Sequence, residues 1–396
     1  MQENFIIELL GIKDRNIEVW NITNEPGYLF VELYTKVRKQ KCPKCTERTS
    51  RIHGYRKQII QGPILSGRLV KVSLKKRRYL CTHCNSTFYE RLQMVQHYQR
   101  YTTSLCTTAL TYTAVASITT AAKLVGMTTN RVLRIFDRQV ITTKKVLPHA
   151  IAIDEFKGDA GGERFQTIIV DVENKEILDI LPDRKIETIK AYLGSCDTGK
   201  VSIVVMDLSQ NFKYAVRKAL GNPIIIADRF HYMRQVYWAL DEVRREVQNE
   251  LSKEQRINMK RSKKLLWKSP YKLTADQKQQ VATILELHPR LQEAYHLKNK
   301  IDQWFKESDK HTAQKGLKNC IELMKVSKIE GFIRVAGTFN RWKQEILQSF
   351  MYPFNNGYIE GVNNTIKVLK RMSYGIKSFE RLKKKILWQQ KVGRAY

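Results

Sequence analysis

Apolar and polar positions recur along this chain with two different periods, and the changes of period divide it. Up to about residue 95 the apolar runs are strand-like, as in "GYLFVELYTK" and "RLVKVSL". From about 96 to 145 the chain is rich in Thr and Ala, with helical spacing. Between 149 and 231 short apolar runs alternate with helical stretches. The remainder reads as basic helices punctuated by Trp. No internal repeat and no low-complexity tract interrupts this sequence of textures.

The middle region carries the most specific pattern. "HAIAIDEF" (149–156) is a short apolar strand ending in Asp154 and Glu155. "RFQTIIVDVE" and "KEILDILP" predict the next two strands, joined by a turn at Glu173, Asn174 and Lys175. A helix near 185–193 precedes "VSIVVMD", a buried strand ending in Asp207; a second helix precedes "PIIIAD", ending in Asp228. The order is β-β-β-α-β-α-β, which is the ribonuclease H-like plan. In such a sheet the first and fourth strands are neighbours, so Asp154 and Asp207 would converge at one edge. Other roles are open to these acids: Asp207 as the cap of the helix after it, Asp228 as a partner of Arg229, and Glu155 in a similar pairing.

A lone acid also opens a helix near the carboxyl end, "YIEGVNNTIKVLK" (358–370). Ile359, Val362, Ile366 and Leu369 follow helical steps and share one face, whereas Glu360, Asn364, Lys367 and Arg371 fall on another. In "SITTAAKLVGMTTNRVLRIFDRQV", a helix with Ala122 and Leu124 meets Gly126, and a second begins behind Thr128 or Thr129. Ala122, Gly126 and Val132 have the spacing of a helix-turn-helix. Thr129, Asn130, Arg131 and Arg134 then face outward, able to reach base edges and phosphates. Two helices of a structural bundle would share this pattern.

Charge favours the DNA-binding alternative. The 396 residues imply two to four domains, and 42% hydrophobic and 10% aromatic residues are globular values. With 70 Lys and Arg against 38 Asp and Glu, the formal net charge is +32, spread over several segments as suits an extended polyanion. In so basic a chain an acid cluster is not general solubilising charge. Hard cations such as Mg²⁺ require oxygen ligands, and three carboxylates can hold two of them for phosphodiester cleavage, with Glu360 as third ligand beside Asp154 and Asp207. No run approaches 18 apolar residues, and "MQENFIIELLGIK" lacks a basic leader, which argues against a membrane span and a secretory signal.

Seven cysteines are an odd number, suited to a reducing compartment. Cys42 and Cys45 form "CPKC", and after 35 intervening residues Cys81 and Cys84 form "CTHC". Each pair sits where a strand would end in a tight turn, and two such turns can bring four thiolates to one Zn²⁺. A redox role would need one pair in a βαβ setting. His53 and His83 read as surface residues, with His83 the alternative ligand; Cys106, Cys196 and Cys320 read as incidental thiols.

Taken together, the paired CxxC module, the helix-turn-helix, "AIDEF", "VVMDLS", "ADRFHYMRQV" and "YIEGVNNTIKVLKRMSYGIKSFERLKKKIL" resemble the DDE transposases of bacterial insertion sequences, most closely the ISL-three group. The resemblance spans nearly the whole chain. It implies Asp154, Asp207 and Glu360 as a triad binding Mg²⁺ or Mn²⁺, with His231 of the "DRFH" signature assisting phosphate or orienting a ligand. It also implies a multidomain α/β chain: a zinc-binding domain (1–95), a helix-turn-helix (96–145), a ribonuclease H-like catalytic domain (146–231 and 346–396) and an α-helical insertion (232–345). The expected activity is binding of terminal inverted repeats in double-stranded DNA, cleavage at the ends and strand transfer to target DNA. A homodimer in the synaptic complex and a bacterial cytoplasmic, nucleoid-associated location would follow. A non-catalytic regulator descended from a transposase, or a junction-resolving nuclease, are the alternatives. Within the insertion, Trp238, Trp267, Trp304 and Trp342 read as core anchors, and Lys263 and Lys264 as DNA contacts.

Overall fold

The structure, a computed structural model, describes residues 2–260 and 262–394. It divides into two compact units: residues 1–141 with 367–376 and 380–396, and residues 142–366 with 377–379.

The first unit opens with α1 (Gln2–Leu9), then β1 (Ile17–Glu25), β2 (Tyr28–Thr35), the short β3 (Gln40–Lys41) and β4 (Arg48–Thr49), β5 (Ile52–Leu65), β6 (Arg68–Leu80) and β7 (Thr87–Tyr89). The main sheet runs β1-β2-β6-β5, with β7 on β6, and β2 and β6 are parallel. Alternation sets its buried face: Val31 and Leu33 on β2 and Val70, Val72 and Leu74 on β6 point inward, leaving Lys71 and Lys75 exposed. The long β5–β6 hairpin turns through Ser66 and Gly67, both at positive φ (49° and 76°), as a two-residue hairpin turn requires.

Helices α2 (Thr103–Val115), α3 (Ile118–Leu124) and α4 (Thr129–Asp137) follow, on a core of Leu105, Ala109, Ala122, Val132 and Phe136. The hydroxyls of Thr102 and Ser117 cap α2 and α3 by accepting from Leu105 N and Thr120 N. Gly126 sits in the turn at φ +64°, where a Cβ would also come 2.5 Å from a Leu69 methyl. Both constraints favour glycine there.

The second unit contains β8 (Ala150–Ala160), β9 (Glu163–Asp171), β10 (Glu176–Leu181), α5 (Ile186–Gly194), β11 (Ile203–Met206), α6 (Gln210–Leu220) and β12 (Ile224–Ala227). Its sheet order is β10-β9-β8-β11-β12; β8 to β10 form an antiparallel meander, and β8, β11 and β12 run parallel. The turn before β10 is fixed by Asp171, whose carboxylate accepts from the Glu173 and Asn174 amides.

A helical segment then runs through α7 (Arg229–Glu250), α8 (Lys253–Met259), α9 (Ser262–Trp267), α10 (Ala275–Glu286), α11 (Pro289–Glu307), α12 (Ala313–Val326), α13 (Glu330–Arg341) and α14 (Lys343–Met351). It has its own core, including Leu240, Leu291, Ile301, Phe332 and Phe339. Trp304 and Trp342 are buried in it and Trp267 is partly so, as anchors should be. Trp238 differs from expectation: it is 49% exposed, with the Arg234 guanidinium 4.8 Å from its ring.

Helix α15 (Gly357–Met372) buries Ile359, Ile366 and Leu369, as its periodicity predicts. The last helix, α16 (Phe379–Gly393), departs from the expected grouping of 346–396 with the α/β part. From Glu380 onward it belongs with the first unit. Buried Lys385 donates to the Thr113 and Ala116 carbonyls (3.0 and 2.6 Å), and Trp388 Nε1 donates to Leu110 O (2.8 Å). Thr113 O and Ala116 O lie at the end of α2, past its last intrahelical donors, so a buried ammonium there satisfies two open acceptors at once, while Leu110 O is shared between Trp388 and the Thr113 hydroxyl (2.6 Å).

Candidate active site and nucleic-acid interface

The two CxxC turns fold alike. Cys42 N donates to Glu47 O and Thr46 N to Cys42 O; Cys81 N donates to Ser86 O and Asn85 N to Cys81 O. Thr46 and Asn85 both adopt positive φ (66° and 52°), so each turn presents its two sulfurs to one side. The four sulfurs all lie within 4.8 Å of one another, with Cys42–Cys84 at 3.6 Å and Cys45–Cys81 at 3.5 Å. A tetrahedral Zn²⁺ with ~2.3 Å bonds demands sulfur–sulfur edges of about 3.8 Å, so the donor set fits zinc. Ser86, through its side chain and then its backbone, pulls the Cys84 thiol down to about 6. His53 and His83 are exposed and outside the cluster.

In the helix-turn-helix, Thr128 occupies the cap position of α4, and Val132, Ile135 and Phe136 anchor it. Thr129, Asn130 and Arg134 are exposed, as the spacing predicts. Arg131 is only half-exposed, with its guanidinium 5.6 Å from the Tyr101 ring. The first unit's sheet supports the turn: Gln61 Nε2 donates to the Val125 and Gly126 carbonyls (3.1 and 3.0 Å). Lys367, Arg371 and, in the second unit, Asn364 are all exposed.

The carboxylates gather where β11 and β12 end beside the middle of β8, which does not stop at Asp154 and Glu155 as its apolar run suggests but continues to Ala160, paired with β9. Ile153 pairs in register with Met206, and Met206 with Ala227, so Asp154, Asp207 and Asp228 each follow directly at the same level. Adjacent strands lie ~4.8 Å apart, which puts Asp207 between the other two. Asp154 Oδ1 accepts from Glu155 N (2.8 Å) and its Oδ2 from Asn363 Nδ2 on α15 (3.0 Å). Asp207 does not cap the following helix; Ser209 does, and its amide donates to Asp207 Oδ1 at 3.1 Å. Asp228 does not pair with Arg229, which donates to Ser349 O. Asp228 Oδ2 instead lies 3.3 Å from His231 Nδ1, and both atoms are buried without a hydrogen bond. Glu155 pairs with Arg184 at 2.7 Å.

Like charge and burial act together here. Burial first, then Asp207 and Asp228, push the Asp154 carboxyl up to about 7. Burial and Glu155 raise Asp207 to about 6, against the opposing pull of Arg234 and Arg184. Burial and then Glu360 raise Asp228 to about 6. Burial, with Arg234 nearby, lowers His231 to about 4, so its imidazole is neutral at pH 7. Among the described residues only the four cysteines bring three or more metal-capable atoms all within 4.8 Å, so the carboxylates are more widely spaced than the thiols.

Sequence reasoning missed Asn363. It chose Asn364, one residue on, which is exposed. The usable signal was the i, i+3 step from Glu360, which puts Asn363 on the same face as the acid.

Residues 151–386 match the family model described as transposase of the ISL3 type, which covers more than half of the chain. The chain belongs to the ISL3 transposase family. Residues 38–84 of this transposase match the zinc finger of transposases IS204/IS1001/IS1096/IS1165, and residues 90–140 the helix-turn-helix domain of the ISL3 family. It is 25% identical to the transposase for insertion sequence element IS1001 of Bordetella parapertussis over 373 residues, 90% of each chain. It is 24% identical to that for IS1557 of Mycobacterium tuberculosis over 241 residues, 54% of each. The protein is a DNA transposase with a zinc-binding module and a DNA-binding helix-turn-helix. Among its described residues no helix is long and apolar enough to cross a membrane.

Proposed function

We propose that this transposase cuts DNA at the terminal inverted repeats of its element and joins the freed 3′-OH to target DNA, using Asp154, Asp207 and Glu360 as metal ligands. The observation that carries this reading is the row of three aspartates at one level on β8, β11 and β12, with Glu360 acting on Asp228. The sheet order, with its meander followed by two parallel strands, supports a ribonuclease H-like catalytic domain. The donor set is all oxygen, and the buried Asp228 Oδ2 has no partner, so the residues fit a hard cation. Bound there, Mg²⁺ or Mn²⁺ would activate water and neutralise charge at the leaving oxygen. Carboxylates spaced more widely than a single-ion cluster suit ligands shared between two ions ~3.5–4 Å apart.

The protein's own groups do the rest. Asn363 orients Asp154 by its 3.0 Å hydrogen bond. His231, neutral and 3.3 Å from Asp228 Oδ2 without a hydrogen bond to it, is placed to assist at the site by proximity rather than to hold phosphate as a cation. No side chain need act as nucleophile, since water and then a DNA hydroxyl attack. Arg134, with Asn130 and Arg131, reads bases, and Asn364, Lys367 and Arg371 hold phosphates. We assign 1–95 to the zinc module, 96–145 to the reader, 232–345 to the insertion, and 146–231 with 346–396 to catalysis, α16 excepted. Pairing two ends calls for a homodimer, and the reduced thiols and DNA ligand suit a cytoplasmic, nucleoid-associated protein.

The test is an assay with end-bearing DNA, Mg²⁺ or Mn²⁺ and a target plasmid. End-specific nicks and joined products are expected. Specific binding without either product, in both metals, would favour a regulator that has lost catalysis.

A further inference from the structure

Between α9 and α10 of the insertion lies a cleft of about 590 Å³. Lys260, Lys264 and Lys268 stand around it, and among the described residues no acid lines it. Among the described residues neither Lys260 nor Lys264 forms an ion pair, and the Lys268 ammonium donates to Gln277 Oε1 at 3.2 Å. Lys263 is not part of the lining: its ammonium lies 3.5 Å from Asp241 and 4.6 Å from the Trp267 ring centroid. The two lysines grouped by the sequence therefore do different things.

Ser262 also lines the cleft, is only 2% exposed, and its hydroxyl has no hydrogen-bond partner. A buried hydroxyl left unsatisfied is costly, which marks it as waiting for an acceptor. Leu265 and Ile284 supply apolar wall. The frame is held from behind, where fully buried Lys298 donates to the Lys268 carbonyl (3.0 Å) and Ser269 to buried Asp302 (2.9 Å). The volume equals roughly twenty waters at ~30 Å³ each, far more than one phosphate needs.

We propose that this cleft seats one nucleotide of a bound DNA strand. Its phosphate lies on Lys260 and Lys264 and accepts from Ser262, and its nucleoside rests against Leu265 and Ile284. The assignment rests on the transposase reading only for its choice of DNA, because a free nucleotide carries the same phosphate chemistry.

Binding of duplex DNA to the full chain, followed by fluorescence anisotropy across a salt series, tests it. The Lys260→Gln/Lys264→Gln double variant should flatten the slope of log affinity against log salt by about 0.9, the value for one lost phosphate. Ser262→Ala should bind DNA several-fold more weakly with a melting temperature unchanged or raised, since an unsatisfied hydroxyl has gone. A purely structural serine would lose stability and affinity together. Lys263→Gln should lower the melting temperature and leave the slope alone. Calorimetry with dATP should show no binding. An unchanged slope in the double variant overturns the proposal. So does dATP binding that Ser262→Ala abolishes while DNA affinity stands, which would make this a free-nucleotide site. Because the readout is binding, a chain that uses the cleft but joins no ends would sink the functional reading and leave this one intact.

Discussion

Replacing Glu360 by Gln keeps the side chain's shape and removes its charge, which separates chemistry from architecture at one position. End binding should persist, while cleavage and joining fall together by at least 10²-fold, since both steps use the same carboxylates. Asp154→Asn and Asp207→Asn should behave alike, and combining any two should add little, as for residues acting as a unit. Activity per DNA-bound molecule decides it; a Glu360→Gln protein that still joins ends removes the residue from the site. At this scale Asp207 and Asp228 were legible because β11 and β12 end where their apolar runs end, whereas β8 runs past Asp154 to Ala160 because its pairing with β9 continues through polar residues. Asn363 was only half legible, since Asn363 and Asn364, three and four residues after Glu360, both fall on the acid's side of the helix, and the alignment of Asp228 rests on strand register, which apolar runs alone do not fix.

At the scale of elements, α4 and α15 should respond differently to the loss of one cation. Arg134→Ala should reduce the preference for end DNA over random DNA, whereas Arg371→Ala should weaken both equally and lower the salt slope by about 0.9. Competition titrations at two salt concentrations separate them; equal loss of preference in both would contradict the division. Arg131→Ala is a less clean probe, because its guanidinium also packs against Tyr101. Helix α16 makes a further prediction. Burial lowers Lys385 to about 8, below the ~10.4 of a free lysine, so the folded state binds fewer protons between those values. Its contribution to stability is therefore full above pH 10.4 and lost as pH falls through 8. The stability of wild type relative to Lys385→Met should rise from pH 8 to 10, which denaturant melts at several pH values would show. A constant difference would mean the ammonium titrates normally. The elements themselves were legible from periodicity, and the order of the second sheet with them. The docking of α16 was not: "RLKKKILWQQK" reads as a solvated basic helix unless one knows that Lys385 meets the end of α2.

Across the whole molecule, the net charge of +32 predicts DNA binding that weakens steeply with salt. The two units should also melt as two events. About one Zn²⁺ per chain should be recovered from reduced protein, and chelation or Cys81→Ser should lower one transition and spare the other, because the metal's binding energy is folding energy only where its ligands lie. Calorimetry with and without chelator checks this, and zinc-free protein with an unaltered first transition would reject it.

The contact from Lys385 back to Thr113 spans 272 residues, which gives the reader a birth order. At roughly 5–20 residues per second, a ribosome needs on the order of 15–50 s to travel that distance. For that interval the nascent helix-turn-helix lacks the helix that covers its core and meets the open carbonyls of α2. A stalled or truncated product would carry the DNA-reading surface without its support, and would compete poorly for the ends that the finished protein must find.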